Sequence, residues 1–312
     1  MDREMQEHQA ALRAEAMLRL RDDPWWAWSP LPRQVPFIEA VLGAGAREVW
    51  FIAANRSGKS DVASYCGSSF ARFGRSNPKW QTRTDSFRPT KGWVISATGG
   101  ASRTIIQPKY FNNGMGQVES HMPFIPPREI KSWNVNDQTL VLKNGSIIEF
   151  KSAEAKAITF AGAGLDWIHI DEECPKNIYD ELVIRVGGDR RLTIFGACTL
   201  LPPEGQLGGV SWMFGDKIKP WLANPAAVDY QIFGSSIYDN PHILSEEVKR
   251  LESRYPLGSI ERSIRLDGEY LPGMQGTRAY GSFDCGCVPR RRTDAKHYCS
   301  AIRCHSNHSG VS

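Results

Sequence analysis

No stretch of this chain approaches the roughly 18 continuous apolar residues that a membrane-spanning helix needs. The opening residues, Met1-Asp2-Arg3-Glu4-Met5, carry no hydrophobic signal core. Cysteine is scarce and odd in number, 7 among 312 residues, in a chain too large to need disulfide stapling. An excess of one charge is also missing, because 38 Lys and Arg face 34 Asp and Glu for a formal net charge of +4. Five basic residues (Arg290, Arg291, Arg292, Lys296, Arg303) against one acid (Asp294) place that whole excess beyond residue 284. Residues 1–284 are therefore neutral, and net charge decides nothing about a nucleic-acid partner. Together these absences predict a soluble, intracellular protein. What is present, 41% hydrophobic and 23% charged residues, suffices for the core of one large domain or two modest ones.

Residues 3–21 predict a helix rich in Ala, Leu, Glu and Arg, with Leu12, Ala16 and Leu20 on one face and a stop at Asp22-Asp23-Pro24. PWWAWSPLPRQVPF follows; its Trp25, Trp26 and Trp28 are expected to pack rather than to bind. From residue 49 short apolar runs recur, at 49–54, 93–98, 167–170, 192–197 and 229–237. Most are continuous rather than alternating, the pattern of strands covered on both faces, so an α/β sheet is expected. Within 139–150, Asn144-Gly145 predicts a hairpin with a type I′ turn. Residues 74–91 read as an exposed basic excursion. Beyond Asp239-Asn240-Pro241 the pattern turns helical, with Ser245 as N-cap of one helix and a second over 259–266.

The strongest local signal is FIAANRSGKS, residues 51–60. An apolar strand enters a small-residue loop, then Gly58-Lys59-Ser60, then a helix-compatible stretch, which is the context a P-loop requires. Backbone N–H groups from Ala54, Asn55, Arg56, Ser57 and Gly58 onward would wrap the phosphates of ATP. Lys59 would reach the β and γ oxygens, and Ser60 would ligate Mg²⁺. Ala53 stands where the pattern's first glycine belongs, and Arg56 adds a charge beside the γ-phosphate. Far along the chain, LDWIHIDEECP ends an apolar strand in Asp171-Glu172. Asp171 would complete the Mg²⁺ site opposite Ser60, and Glu172 would deprotonate the attacking water. Gln34 precedes the P-loop strand and could pair with the adenine edge or simply lie on the surface. Thr199, at the end of another strand, could sense the γ-phosphate or merely end a strand.

In order, these segments resemble the large terminase subunit of tailed bacteriophages, the ATPase that packages double-stranded DNA. The likeness spans about residues 30–284 and rests on PRQVPF, AANRSGKS, WVISAT, LKNGSIIEFKS, AGAGLDWIHIDEECP, IYDEL with Arg185, SSIYDNP and LDGEY. It implies a RecA-like P-loop NTPase: a central, mostly parallel sheet flanked by helices, with a small helical lid subdomain. Residues 1–29 would be a lead-in, 30–239 the ATPase core, 240–284 the lid and 285–312 a tail. The resemblance assigns Gln34 to adenine and Arg56 to the arginine that such P-loops carry. Thr199 falls in the coupling motif, where Ala197-Cys198-Thr199-Leu200 departs from the usual T-x-T-P. Implied partners are double-stranded DNA, the small terminase subunit, the portal protein and a homo-oligomeric ring on the procapsid. The setting would be the cytoplasm of a bacterial host, without a membrane.

The family's nuclease is expected to be absent, because residues 285–312 hold one acid and cannot build a two-metal carboxylate site. That tail reads as a zinc binder through Cys285, Cys287, Cys299, Cys304 and its histidines, as a basic DNA-touching arm, or as a non-native extension. Two other functional readings compete with the motor: an inactive remnant that binds partners, and a helicase-like ATPase, for which residues 205–312 are too few to form a second lobe.

Overall fold

The computed structural model describes residues 23–43, 46–80, 86–114, 123–160, 164–184, 193–200 and 211–270. The expected helix over 3–21, Arg185 and the tail after 284 lie outside them. Eight strands are formed: β1 (Glu48–Ile52), β2 (Lys91–Ser96), β3 (Ile130–Asn134), β4 (Thr139–Leu142), β5 (Ile147–Ser152), β6 (Trp167–Asp171), β7 (Thr193–Cys198) and β8 (Tyr230–Phe233). They make one sheet in the order β3-β4-β5-β2-β6-β7-β1-β8. From β5 to β8 all neighbours are parallel, and β3 and β4 add an antiparallel extension.

The central strands β1, β2, β6 and β7 are mostly apolar because both faces are covered. On β1, Val49 and Phe51 enter one core while Trp50 and Ile52 enter the other. The first core is closed by helix α1 (Lys59–Phe73), the helical segment 99–110 and the lead-in, and the second by α2 (Lys176–Val183) and the segment 212–223. Alternation appears towards the two margins of the sheet, in β4 and β5 and in the edge strand β8, whose second face is partly open. Two glycines make room for indoles across the parallel ladder: Gly92 beside Trp167 and Gly196 beside Trp50. A Cβ on Gly196 would fall 2.2 Å from the Trp50 ring. Gly196→Ala is therefore expected to destabilise the fold by about 1–3 kcal/mol, read as a lower urea midpoint at unchanged slope.

Of the tryptophan-rich stretch Trp25 and Trp28 pack, whereas Trp26 is exposed, with its ring edge-on to Trp25. Trp25 is fully buried and stacks on Tyr65 with ring centroids 5.0 Å apart, and Trp28 lies 4.6 Å from the same ring. Next to them Arg72 of α1 is buried, with a bidentate pairing to Asp23 at 2.8 and 2.5 Å and another to Glu129 at 2.8 and 2.6 Å.

The β4–β5 hairpin forms where expected, but its turn is not type I′. Gly145 has φ +91 whereas Asn144 is not left-handed, and Gly145 N–H closes on the carbonyl of Leu142 at 3.0 Å. Asn144 is occupied otherwise. Its amide donates to the carbonyls of Ala71 and Arg72 at 2.9 and 3.0 Å, capping the end of α1.

A third, small core joins Ile237, Leu266 and Ala54, with Ile243, Leu251 and Tyr255 against it. It is built by the segment 235–240, helix α3 (Ser245–Arg254) and the turn-rich stretch to Gly268. Leu244 rather than Ser245 is the N-cap of α3, while Ser259 caps the following helical segment through its side chain.

Candidate active site

β6, β7 and β1 end level with one another, since Asp171 pairs with Ala197 and Ile52 with Cys198. Parallel strands place ligands at this carboxyl edge, and three distant segments meet there.

The chain leaves β1 at Ala53 and curls through Arg56 at φ +60 and Gly58 at φ +76 before α1 starts at Lys59. The first helical bond runs from Val62 N–H to the Gly58 carbonyl at 3.1 Å, so the amides before it have no partner within the helix. A loop with left-handed residues feeding a helix N-terminus is an anion-binding concavity. Ser57 is buried and its hydroxyl ties the loop to itself at the Ala54 carbonyl, 2.8 Å away.

Glu172 follows β6 with φ +67, a conformation costly for a residue with a Cβ and one that gathers at functional sites. It aims the carboxylate across the site: Oε1 lies 3.5 Å from Lys59 Nζ, and Oε2 accepts the backbone N–H of Thr199 at 2.9 Å. The Thr199 hydroxyl in turn lies 3.1 Å from the Ala53 carbonyl and 3.2 Å from Asn55 Oδ1, with its one hydrogen shared between them. Glu172, Thr199 and the P-loop thus form one connected network. Burial pushes the Glu173 carboxyl up, and the neighbouring Ser211, Met213 and Trp212 oppose that push.

Asp171 is buried beside the Ser60 side chain. Its Oδ1 has no hydrogen-bond partner. Burial, reinforced by the charge of Glu172 and opposed by Ser60 and Lys59, pushes its carboxyl up to about 7. A buried, unpartnered carboxylate oxygen next to a hydroxyl is a donor set that fits a hard divalent cation such as Mg²⁺. In the metal-free protein this raised value means that the stabilising protonated form is lost as pH rises from the ordinary carboxylate range through about 7. Asp171→Asn is accordingly expected to raise Tm at pH 8 without divalent cation, and to raise it much less at pH 5. Thermal unfolding at the two values checks this.

The remaining residues read from the sequence divide. Gln34 is buried; its Oε1 accepts Leu31 N–H at 2.9 Å and its Nε2 donates to the carbonyls of Ser57 at 3.1 Å and Gly58 at 3.2 Å. Arg56 points out of the loop to an ion pair with Glu247 on α3, while its carbonyl accepts from Asn240 at 2.6 Å. Ala54 N–H donates to Ser235 and Asn55 N–H to Arg265, each at 2.9 Å. Gly268, at φ +69, lies so close that a Cβ there would sit 2.5 Å from the Ser235 carbonyl oxygen. Sequence reasoning missed Asn240, Glu247 and Gly268 as neighbours of the P-loop. SSIYDNP and LDGEY contained two of them, but only the resemblance marked those segments, not a chemical pattern. Among the described residues no group of three His, Cys, Asp or Glu could hold a metal, and no helix is long and apolar enough to cross a membrane.

No protein-family model and no curated protein matches the sequence. Solved structures do match the fold. The large terminase of a thermophilic bacteriophage superimposes with a TM-score of 0.55 at 14% identity, over 78% of this chain. Its complex with ADP gives 0.54 at 15% identity, over 78%. The chain spans 54% of the length of those structures. The large terminase ATPase domain of Thermus phage P74-26 matches over 80% of this chain and 96% of its own, at 18% identity and a TM-score of 0.44. The chain thus shares the fold of the large terminase structures with TM-scores of 0.54 and 0.55, a central, mostly parallel sheet flanked by helices, as the sequence resemblance implied.

Proposed function

We propose that this chain is the ATPase of a DNA-packaging motor, hydrolysing ATP to move double-stranded DNA into a viral procapsid. The observation that carries the reading is the placement of Glu172: a carboxylate in a left-handed backbone conformation, 3.5 Å from the P-loop lysine and tied to Thr199. The fold shared with large terminases, one of them solved with ADP, supports it.

The loop from Arg56 to Gly58 and the first turn of α1 would wrap the triphosphate, whereas the amides of Ala54 and Asn55, expected from the sequence to join them, are bonded to the carbonyls of Ser235 and Arg265. Lys59 would exchange its contact with Glu172 for the β and γ oxygens. Ser60 and Asp171 would hold Mg²⁺, which supplies charge neutralisation on the phosphates. Glu172, released from Lys59, orients a water and accepts its proton. Asn55 and Thr199 connect the γ-phosphate position to Glu172 through hydrogen bonds already formed. Arg56 joins the P-loop to α3, so nucleotide state and the small subdomain share a residue. Double-stranded DNA, a small terminase subunit, a portal protein and a ring of identical chains are the partners that this reading brings.

Steady-state phosphate release from ATP, with and without double-stranded DNA, tests it. Turnover that depends on Glu172 and rises with DNA is expected. Absence of turnover in folded protein would leave an inactive nucleotide-binding remnant as the better account.

A further inference from the structure

β2 ends at the same edge of the sheet as β6, and the last residue of each is polar: Ser96 stands opposite Asp171 in the parallel register. Residues paired in this way face the same side of the sheet, and side chains two apart on a strand share a face. Val94 on β2 and Trp167 on β6 enter the core that α1 closes, so Ser96 and Asp171 face that side as well. The hydroxyl and the carboxylate are therefore neighbours, on the face met by the helix that begins with Lys59 and Ser60.

Neither group is fully served by the chain itself. Ser96 is 1% exposed, and its Oγ, like Asp171 Oδ1, has no hydrogen-bond partner. The polar side chains nearby are engaged elsewhere. Ser152, opposite Ser96 on β5, bonds to Glu154 at 3.0 Å. In the segment 99–110, which covers this face, Gln107 donates to Ser102 and Gln138, the Tyr110 hydroxyl bonds to His169 Nδ1 at 2.9 Å, and Lys109 pairs with Asp61. A buried polar atom without a partner is costly. Two of them side by side, on strands about 4.8 Å apart, make one polar site rather than two separate defects.

Mg²⁺ dehydrates reluctantly and keeps several waters when a protein binds it. Each such water offers two hydrogens and needs acceptors for them. We propose that Ser96 belongs to the cation site with Ser60 and Asp171: its hydroxyl oxygen accepts a hydrogen bond from a water that Mg²⁺ carries, beside the Asp171 carboxylate. This rests on the nucleotide-binding reading given above. Ser96 is a positioning residue, acting on how tightly and where the cation is held. A serine kept only for its small size would have no such effect, and the two accounts part at Ser96→Ala.

The test measures equilibrium binding of the non-hydrolysable β,γ-imido analogue of ATP, once with Mg²⁺ and once with EDTA. The ratio of the two affinities reports the cation site without turnover. It is determined for the wild-type chain, Ser96→Ala, Ser96→Thr and Asp171→Asn, each verified as folded by circular dichroism. Ser96→Ala is expected to lower the ratio by roughly two- to tenfold, the loss of one modest hydrogen bond, with affinity in EDTA unchanged. Its Tm without cation should hold or rise, because an unpartnered buried hydroxyl is gone. Ser96→Thr, which keeps the hydroxyl, should retain the wild-type ratio, and Asp171→Asn should lower it further than Ser96→Ala. A ratio unchanged in Ser96→Ala but lowered in Asp171→Asn would overturn the inference and leave Ser96 as a small residue at a strand end. Equal losses with Mg²⁺ and with EDTA would overturn it too, in favour of a distorted loop. A wild-type chain that does not bind the analogue at all would instead strike the nucleotide-binding reading, and the inference with it.

Discussion

Glu172→Gln is expected to lower ATP turnover by roughly 10²–10⁴-fold, the range for loss of a general base, while nucleotide still binds. The amide keeps the length of the side chain and its oxygen can still accept the Thr199 N–H now bonded to Oε2 at 2.9 Å. Both residue types bear the same penalty at φ +67, so the backbone has no reason to move. What disappears is basicity and the ionic contact with Lys59, 3.5 Å away. That lysine is then free for phosphate, so affinity is expected to hold or to improve slightly. Phosphate release and equilibrium binding of ATP, measured on the same preparation, give the two numbers. Turnover near the wild-type rate would transfer the base role away from Glu172. Glu173 is a poor substitute, because Glu172 and not Glu173 holds the contacts to Lys59 and Thr199.

The largest effect on stability is expected at Arg72. Its guanidinium is buried and bonded to Asp23, to Glu129 and, at 3.0 Å, to the Phe124 carbonyl. Arg72→Met would remove the main partner of a buried carboxylate, leaving Asp23 with Arg128 at 3.0 Å and the Trp25 amide at 3.3 Å. Breaking one side of such a pair costs about 3–5 kcal/mol. In a urea titration the midpoint of Arg72→Met should fall accordingly. Adding Asp23→Asn should recover part of the loss, because the unpaired charge is then gone. Equal, additive losses from the two substitutions would show that they do not act as a pair.

The parallel strands and the loop that leads from β1 into α1 were legible because each has a local cause. A strand buried on both faces must be apolar throughout, and a loop that wraps phosphate must place Gly, Lys and Ser at the start of a helix. Asp171 and Glu172 were legible for the same reason, as acids at the end of an apolar run. What the residues did not reveal depends on contacts between distant segments. Asn144 was read as a turn former, yet the shape of the turn yielded to the chance to cap α1 at Ala71 and Arg72. Gln34 was read by its distance from the P-loop, which says nothing of where an amide points. Arg56 gave a charge in the right loop, while its partner Glu247 lies on a helix whose sequence pattern signals only amphipathicity. The small core around Ala54 was hidden more completely, since one alanine of a phosphate loop has no mark that it belongs to another segment's interior.

The strand order also bears on how the chain is made. β1 lies between β7 and β8 and pairs with neither β2 nor any strand synthesised soon after it. About 140 residues separate Ile52 from Thr193, where its first partner begins. At ribosomal speeds of about 5–20 residues per second, Val49, Trp50, Phe51 and Ile52 wait roughly 7–28 s with both edges open. During that interval the most apolar strand of the molecule is a nascent segment in need of cover, and a chaperone that binds short hydrophobic stretches has its best target there.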